Sequence, residues 1–192
     1  MFSGKNNKHT FVLALGGNNL TNDISIGLRA PQAEAEKIKK KYGTCNTSSI
    51  SSDETIEVPG MGGREARKLP RQILGEILEP RLEEIFELTN RELYRARMEH
   101  TVNSGFVLTG GTSLLDGVEE VAESIFNLPC RLGKPQGIKG LVDVVNNPMY
   151  ATGVGLVLFA ARHRDSKKFR IRDKNIFNRV MTRMKRWFQE VV

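Results

Sequence analysis

The sequence has few of the residues that cross-link small proteins or hold metal ions. Among its 192 residues are two cysteines, Cys45 and Cys130, and three histidines. The cysteines lie far apart and match no metal-binding spacing, and two are too few for a disulfide framework. We therefore predict no metal site and a reducing compartment.

Long apolar segments are also missing. The longest apolar run, around residues 153–161, is too short to cross a bilayer, so the sequence predicts no transmembrane helix. This run belongs to a predicted helix over residues 149–161. Because that helix is apolar on nearly all sides, we expect it to be buried in protein.

Most of the chain has no excess of either positive or negative charge. The net charge is +7, yet residues 162–192 carry 11 Lys and Arg against 3 Asp and Glu, so residues 1–161 have a net charge of −1. A folded nucleic-acid reader usually carries its basic stripe on the body. The neutral body therefore argues against nucleic acid as a partner, and the basic character belongs to the C-terminal segment.

The basic segment has a helical pattern. Residues 162–174 read as a charged linker, and residues 175–192 place apolar side chains at three- and four-residue steps opposite cationic ones. We predict a helix that lies flat on an anionic membrane. A nucleic-acid-binding or calmodulin-target helix, or a helix packed on its own domain, are the alternatives. The predicted membrane-binding residues are Ile176, Phe177, Val180, Met184, Trp187, Phe188, Arg179, Arg183, Lys185 and Arg186.

Strand and helix patterns alternate along the rest of the chain, which predicts an α/β fold. Buried strands are predicted at residues 10–15, 105–108 and 130–132, and a half-buried strand at 54–58. Helices are predicted at residues 23–29, 31–42, 70–100 and 114–127, and Pro80 should kink or divide the third of them.

A glycine turn joins one predicted strand to a helix. Residues 106–123 read as a strand, a Gly-Gly turn and a helix start. Glycines let a ligand approach the backbone closely, and the free N–H groups of a helix start favour an anion or a polar ring edge. Taken alone, the same pattern also fits a tight turn that binds nothing.

Two segments together resemble a known superfamily. VLTGGTSLLDG (107–117) resembles the adenosine motif of the actin-like ATPases, and AEKIKKKYG (35–43) resembles their adenine-side helix. Within the superfamily, the chain resembles the bacterial division proteins of the FtsA family. The segments that carry this resemblance are LGGNNLTNDISIGL (15–28), AEAEKIKKKYG (33–43), EVPGMGGREARKLPRQILGEILEPRLEEIF (57–86) and NNPMYATGVGLVLFA (146–160).

The resemblance implies the second lobe of an actin-like ATPase fold, built from subdomains IIA and IIB, plus a C-terminal amphipathic helix. Subdomain IIA would comprise residues 8–17 and 78–161, and subdomain IIB residues 18–77. The phosphate loops and the inserted subdomain of the family are not found in this sequence. We therefore expect a C-terminal half that is not an enzyme by itself.

The resemblance also implies a ligand. Gly110, Gly111 and Thr112 would line an adenosine pocket, and Glu36 and Lys39 would reach the ribose or adenine. The cofactor would be ATP, with Mg²⁺ in a full-length protein. A polar pair at helical spacing, without the resemblance, reads as a solvated helix face.

The implied partners are those of a division protein at the cytoplasmic face of the bacterial inner membrane. They are the C-terminal peptide of the tubulin-like protein FtsZ, anionic lipid, and further copies that form actin-like polymers. Because the FtsZ peptide is partly acidic, we expect cationic side chains to bind it. The predicted contacts are Arg64, Arg81 and Arg91, and the wider set of candidates also includes Arg67, Arg71 and Arg95. A sugar kinase or a heat-shock chaperone of the same fold is the alternative, although no acidic catalytic base is evident.

Overall fold

The computed structural model describes residues 1–3, 6–60, 62, 65–98, 102, 104–138 and 142–163. The chain divides into two compact units, Met1–Val154 and Gly155–Val192. Within the described residues the helices are α1 (Gly17–Gly27), α2 (Gln32–Tyr42), α3 (Gln72–Arg95), α4 (Val118–Phe126), α5 (Val142–Val145) and α6 (Ala151–Arg162). The strands are β1 (Phe2–Ser3), β2 (Asn6–Asn7), β3 (Thr55–Val58), β4 (Arg67–Pro70), β5 (Phe106–Leu108) and β6 (Cys130–Leu132).

The strands form three small sheets. Strands β1 and β2 pair antiparallel, and so do β3 and β4, with Ile56 opposite Leu69. Strands β5 and β6 pair parallel, with Phe106 opposite Cys130 and α4 as the crossover between them. A parallel pair joined through a helix is the βαβ arrangement of α/β proteins. The strands predicted at β3, β5 and β6 are confirmed as strands, but β5 is not buried as predicted, since Val107 at its centre is 53% exposed.

Helix α3 forms the centre of the first unit and packs against both α1 and α4. Its buried side chains recur every four residues, at Leu74, Leu78, Leu82 and Phe86, which gathers them on one face. The helix continues as one element through Pro80, so of the two predicted effects of this proline, a kink or a division, the division is wrong. Proline removes one backbone hydrogen bond, but the core contacts of Leu78 and Leu82 continue on either side of it.

Helix α1 begins six residues before the predicted start at residue 23. The amide of Gly16 donates to Asn19 Oδ1 at 3.0 Å, and the amide of Asn19 donates to the carbonyl oxygen of Gly16 at 2.9 Å. The first bond is one half of a capping box, in which the N3 side chain accepts from the N-cap amide, whereas the second is a backbone turn bond because glycine has no side chain to accept it. The Gly- and Asn-rich segment, which reads as a turn, is therefore the first turn of a helix.

Residues 10–15 do not form the predicted buried strand. The segment carries no strand assignment, and Val12 is 91% exposed. A strand needs a neighbour for its backbone groups, and in the part of the chain that the structure describes the sheet of β5 and β6 has two strands and does not include this segment. The apolar sequence of residues 10–15 favours a strand, but a strand also requires a neighbouring strand to pair with, which the sequence of the segment does not determine.

The ends of α2 follow the sequence signals. Pro31 precedes the helix, and the amide of Gly43 donates to the carbonyl oxygen of Lys39 at 2.9 Å. Beyond the helix, Thr44 forms a bridge with Asp116, and its hydroxyl donates to Asp116 Oδ2 at 3.0 Å. These bonds join the end of α2 to the turn that precedes α4.

The predicted burial of the apolar helix near the end of the described residues is wrong. Helix α6 has no buried side chain, and Leu156, Val157 and Phe159 are each more than half exposed. The apolar composition of a helix shows how much of its surface could be buried. It does not determine whether another part of the protein packs against that surface.

Candidate functional site

A cavity of about 670 Å³ opens where three segments of the first unit meet. The first segment leads into α1, the second is one face of α2, and the third is a 3₁₀ turn, Gly111–Leu114, that follows β5. Its lining includes Gly17, Asn18, Glu36, Lys39, Thr112 and Leu114. The volume lies within the range of small-molecule sites.

Gly110 shapes the turn on one side of the cavity. Its φ of 96° lies in the left-handed region, which glycine adopts without steric cost. Its amide donates to the carbonyl oxygen of Pro148 at 3.0 Å, and its own carbonyl accepts from the hydroxyl of Ser113 at 2.8 Å. These bonds fix the turn and bring Gly111 and Thr112 to the cavity wall.

The opposite wall carries a charged cluster on α2. Lys39 Nζ lies 2.6 Å from Glu36 Oε2, and Lys40 Nζ lies 3.2 Å from Glu36 Oε1. Burial alone would raise the pKa of the Glu36 carboxyl, but hydrogen bonds from Lys39, Thr21 and Lys40 outweigh that effect and lower the pKa to about 2. The carboxylate is therefore ionised at neutral pH and can only accept hydrogen bonds.

The structure brings four of the five predicted adenosine residues to one cavity. Gly111, Thr112, Glu36 and Lys39 line it, whereas Gly110 sits behind the wall and sets the turn. The two motifs that suggested the site are about 70 residues apart in sequence and face each other across it.

Sequence reasoning missed other parts of the wall. Asn18 and Asn19 at the start of α1, Lys40 on α2, and Met149 also line the cavity. The GGNN sequence at residues 16–19 was a usable signal, because glycines before a helix often mark a ligand-facing turn. Met149 carried no such signal, since an isolated methionine is more often part of a core.

The wall combines an apolar surface with few polar groups. Leucines at positions 13, 15, 114 and 115, together with Met149, can contact a flat ring, while Glu36 can accept hydrogen bonds from hydroxyl groups. Within the described residues, no group of His, Cys, Asp or Glu side chains is arranged to hold a metal ion. The chemistry of the cavity is that of binding a polar, ring-containing ligand.

The predicted partner-binding arginines lie in different environments. Arg64 is outside the described residues. Arg81 Nε lies 2.5 Å from Asp23 Oδ2, and Arg81 also pairs with Glu84, so its guanidinium joins α3 to α1. The side chain of Arg91 is 69% exposed and lies 3.5 Å from Glu87.

The other arginines of the wider set also differ. Arg67 donates to the carbonyl oxygen of Leu28, and Arg71 donates to that of Tyr42 at 2.9 Å. Arg95 is 81% exposed and lies 3.8 Å from Glu92. Exposed arginines near the end of α3 are thus available to a partner, whereas Arg67, Arg71 and Arg81 hold parts of the fold together.

All ten predicted membrane-binding residues fall at positions 176–188 and lie outside the described residues. In the part of the chain that the structure does describe, no helix has the length and apolar character needed to cross a membrane.

Comparison with solved structures defines the class of the fold. The chain superposes on MreB 5 of Spiroplasma citri bound to AMPPNP with a TM-score of 0.62 and 18% identity, covering 86% of this chain and 47% of that one. The ADP-bound form of the same protein gives a TM-score of 0.58 at 16% identity, covering 78% and 45%. The fold is the actin-like one that the sequence motifs implied.

Comparison of sequences then defines the family. The model of the family "Cell division protein FtsA" matches residues 1–155. The cell division protein FtsA of Pseudomonas aeruginosa is 42% identical over 188 residues, and that of Neisseria meningitidis is 36% identical over 187; each match covers 95% of this chain and 45% of the relative. The chain belongs to the FtsA family of cell division proteins, and it spans less than half the length of these relatives.

Proposed function

We propose that this chain acts in bacterial cell division as a peripheral membrane tether for FtsZ, and that its cavity holds the adenosine end of a nucleotide. The observation that carries the nucleotide part is the cavity of about 670 Å³ between α1, α2 and the Gly111–Leu114 turn. Family membership supports the division role, since the matching relatives are named cell division proteins.

The cavity suits adenosine better than a phosphate chain. The leucines and Met149 offer contacts to the faces of a purine ring, and the ionised Glu36 carboxylate accepts from ribose hydroxyls. The resemblance assigns no residue of this chain to the phosphates, Mg²⁺ or the attacking water, and phosphoryl transfer depends on positioning all three. ATP bound here would make its main contacts through the nucleoside.

Two features support the tether function: the cationic pattern of residues 175–192 and the exposed arginines near the end of α3. The sequence of residues 175–192 predicts an amphipathic cationic helix, and each Lys or Arg near an anionic leaflet contributes about 1 kcal/mol. The exposed arginines Arg91 and Arg95 offer cations to a partly acidic FtsZ peptide. Self-association into actin-like polymers would multiply the weak membrane affinity of one copy.

A titration tests the nucleotide part. We expect adenosine and ATP with Mg²⁺ to bind the full chain with similar, millimolar affinity in ¹H–¹⁵N spectra, with shifts at residues 16–19, 36–40 and 111–115 and no turnover. Leu114→Trp would fill the cavity and abolish the shifts. Ile26→Trp is the matched control, because Ile26 is 68% exposed and does not line the cavity. Micromolar ATP affinity with hydrolysis, or no adenosine shifts at all, contradicts this part of the proposal.

A further inference from the structure

Thr21 lies at the centre of the polar cluster behind the cavity wall. It is on α1, one turn after Gly17, and it is 3% exposed. Its hydroxyl oxygen lies 2.9 Å from the carbonyl oxygen of Gly17 and 2.7 Å from Lys39 Nζ, and it is hydrogen-bonded to Glu36 Oε2. One small side chain thus contacts both the start of α1 and the two charged residues of α2.

The ammonium group of Lys39 is fully engaged within the protein. It donates to the carbonyl oxygen of Gly17 at 2.8 Å and to Thr21 Oγ1 at 2.7 Å, and it lies 2.6 Å from Glu36 Oε2. A lysine ammonium has three hydrogens, and these three acceptors use all of them. Lys39 is also 7% exposed, so it cannot donate to a ligand without giving up an internal bond.

The hydroxyl of Thr21 has a single hydrogen, so its role can be assigned. It accepts from Lys39, and it donates to the charged oxygen of Glu36, since charge-assisted hydrogen bonds are the stronger ones. The carbonyl of Gly17 then receives its hydrogen from Lys39. Glu36 Oε2 is occupied by Thr21 and Lys39, while Oε1 pairs with the largely exposed Lys40 at 3.2 Å.

We propose that Thr21 is a positioning residue of the cavity, which anchors Lys39 to the start of α1 and turns Glu36 so that its Oε1 faces the ligand. This inference rests on the proposed adenosine site. It divides the two residues that the sequence treated as a pair: Glu36 contacts the ligand, and Lys39 is an internal anchor. Thr21 itself was not suggested by either motif.

The arrangement explains how a lysine can be buried beside a binding site. A buried ammonium is unfavourable unless it is paired and hydrogen-bonded. Here Thr21, Glu36 and the carbonyl of Gly17 supply three acceptors from two helices. Removing the hydroxyl would leave Lys39 one acceptor short and Glu36 one donor short.

The variant Thr21→Val removes the hydroxyl at nearly constant volume, and Thr21→Ser, which keeps it, is the matched control. The first readout is the pKa of Glu36, followed by side-chain carboxyl NMR in the full chain without ligand. We expect the pKa to rise from about 2 toward 4.5 in Thr21→Val and to stay low in Thr21→Ser. A merely structural role of Thr21 would not separate these two variants in this way.

The second readout is adenosine affinity, which we expect to fall about threefold to tenfold in Thr21→Val, as for one lost hydrogen bond, and to be retained in Thr21→Ser. If Thr21→Val does not fold, Thr21→Ala gives the same comparison without an added methyl group. A Glu36 pKa that is the same in a folded variant without the hydroxyl as in the parent chain overturns the inference. Failure of the parent chain to bind adenosine refutes the proposed site instead, because the pKa readout needs no ligand.

Discussion

Gly17 lies so close to Thr112 that a methyl group on Gly17 would stand 2.6 Å from the hydroxyl oxygen of Thr112 and 3.5 Å from Lys39 Nζ. The first of these distances is shorter than a van der Waals contact. The start of α1 and the turn after β5 therefore meet directly at the cavity, and a glycine at this position allows them to do so.

Replacing Gly17 by alanine should force these two segments apart. We expect Gly17→Ala to lower the free energy of unfolding by about 1 kcal/mol, as for a small overpacked site, and to weaken adenosine binding. Gly16→Ala is the neighbouring control, because a methyl group there would meet no atom within 4 Å. Urea denaturation of both variants measures the difference. If the two variants are equally stable, Thr112 moves aside at no cost and the expectation is wrong. The double variant Gly17→Ala/Thr112→Ala, which removes the clashing hydroxyl, should recover the free energy of unfolding that Gly17→Ala loses.

Glu36 should make stability depend on pH in the acid range. Its folded pKa of about 2 lies below the ordinary 4.5, so the folded state binds the proton more weakly than the unfolded state. The stabilisation is complete above pH 4.5 and is lost as the pH falls toward 2.

The variant Glu36→Gln should remove this dependence. Because the Glu36 side chain is one-third exposed, solvent screening reduces the expected loss to about 1 kcal/mol at pH 7. The matched control is Glu34→Gln on the same helix, since the ion pair of Glu34 within the described part of the chain is with Lys37, whose side chain is 72% exposed. Urea denaturation at pH 7 and pH 3 tests this. If Glu36→Gln and its parent lose the same stability between pH 7 and pH 3, the hydrogen bonds of Glu36 are not the source of the pH dependence.

Arg81 and Arg91, the two arginines of the predicted FtsZ contact that the structure describes, should separate into a structural residue and a binding residue. Arg81→Ala breaks the contact with Asp23 that joins α3 to α1, so it should lower the melting temperature measured by circular dichroism. Arg91→Ala should leave the melting temperature unchanged, because Arg91 is exposed and its ion pair among the described residues is with Glu87 on the same helix.

Binding of the FtsZ C-terminal peptide should depend on Arg91, whose replacement is expected to leave the melting temperature unchanged. Arg91→Glu should weaken it without loss of stability, and combining it with charge reversal at Arg64 should weaken it further. Fluorescence anisotropy with a labelled peptide is the measurement. An Arg64/Arg91 double variant that binds like its parent would place the peptide on another surface.

Local signals predicted the elements that depend on local chemistry. Helix α2 lies between Pro31 and Gly43, and β3 alternates buried and exposed residues as its sequence does. The start of α1 was missed because it depends on a side-chain bond between Asn19 and the amide of Gly16, in a segment whose composition favours a turn. The burial of α6 was mistaken because it depends on a partner surface.

Four of the five residues predicted for the adenosine site line the cavity, but the sequence did not show how their side chains are bonded. The glycine turn and the α2 motif located four wall residues, since the residue types carry the chemistry. The ammonium group of Lys39 is bonded to Gly17 and Thr21, which are 22 and 18 residues away and carry no signal in the sequence for this contact. Similarly, the ion pair between Arg81 and Asp23 spans 58 residues, so composition alone could not show that this arginine is occupied.

The tether claim is tested most directly by asking whether the chain carries an FtsZ peptide to a membrane. A fluorescent FtsZ C-terminal peptide is mixed with the chain and with vesicles of phosphatidylglycerol and phosphatidylethanolamine, and the vesicles are pelleted. We predict that the peptide pellets with the parent chain, and that Trp187→Glu/Phe188→Glu leaves both in the supernatant while adenosine binding persists. Neutral vesicles in high salt should recruit little of either. Peptide that pellets equally with the double variant, or that stays in solution with the parent chain, would contradict the account.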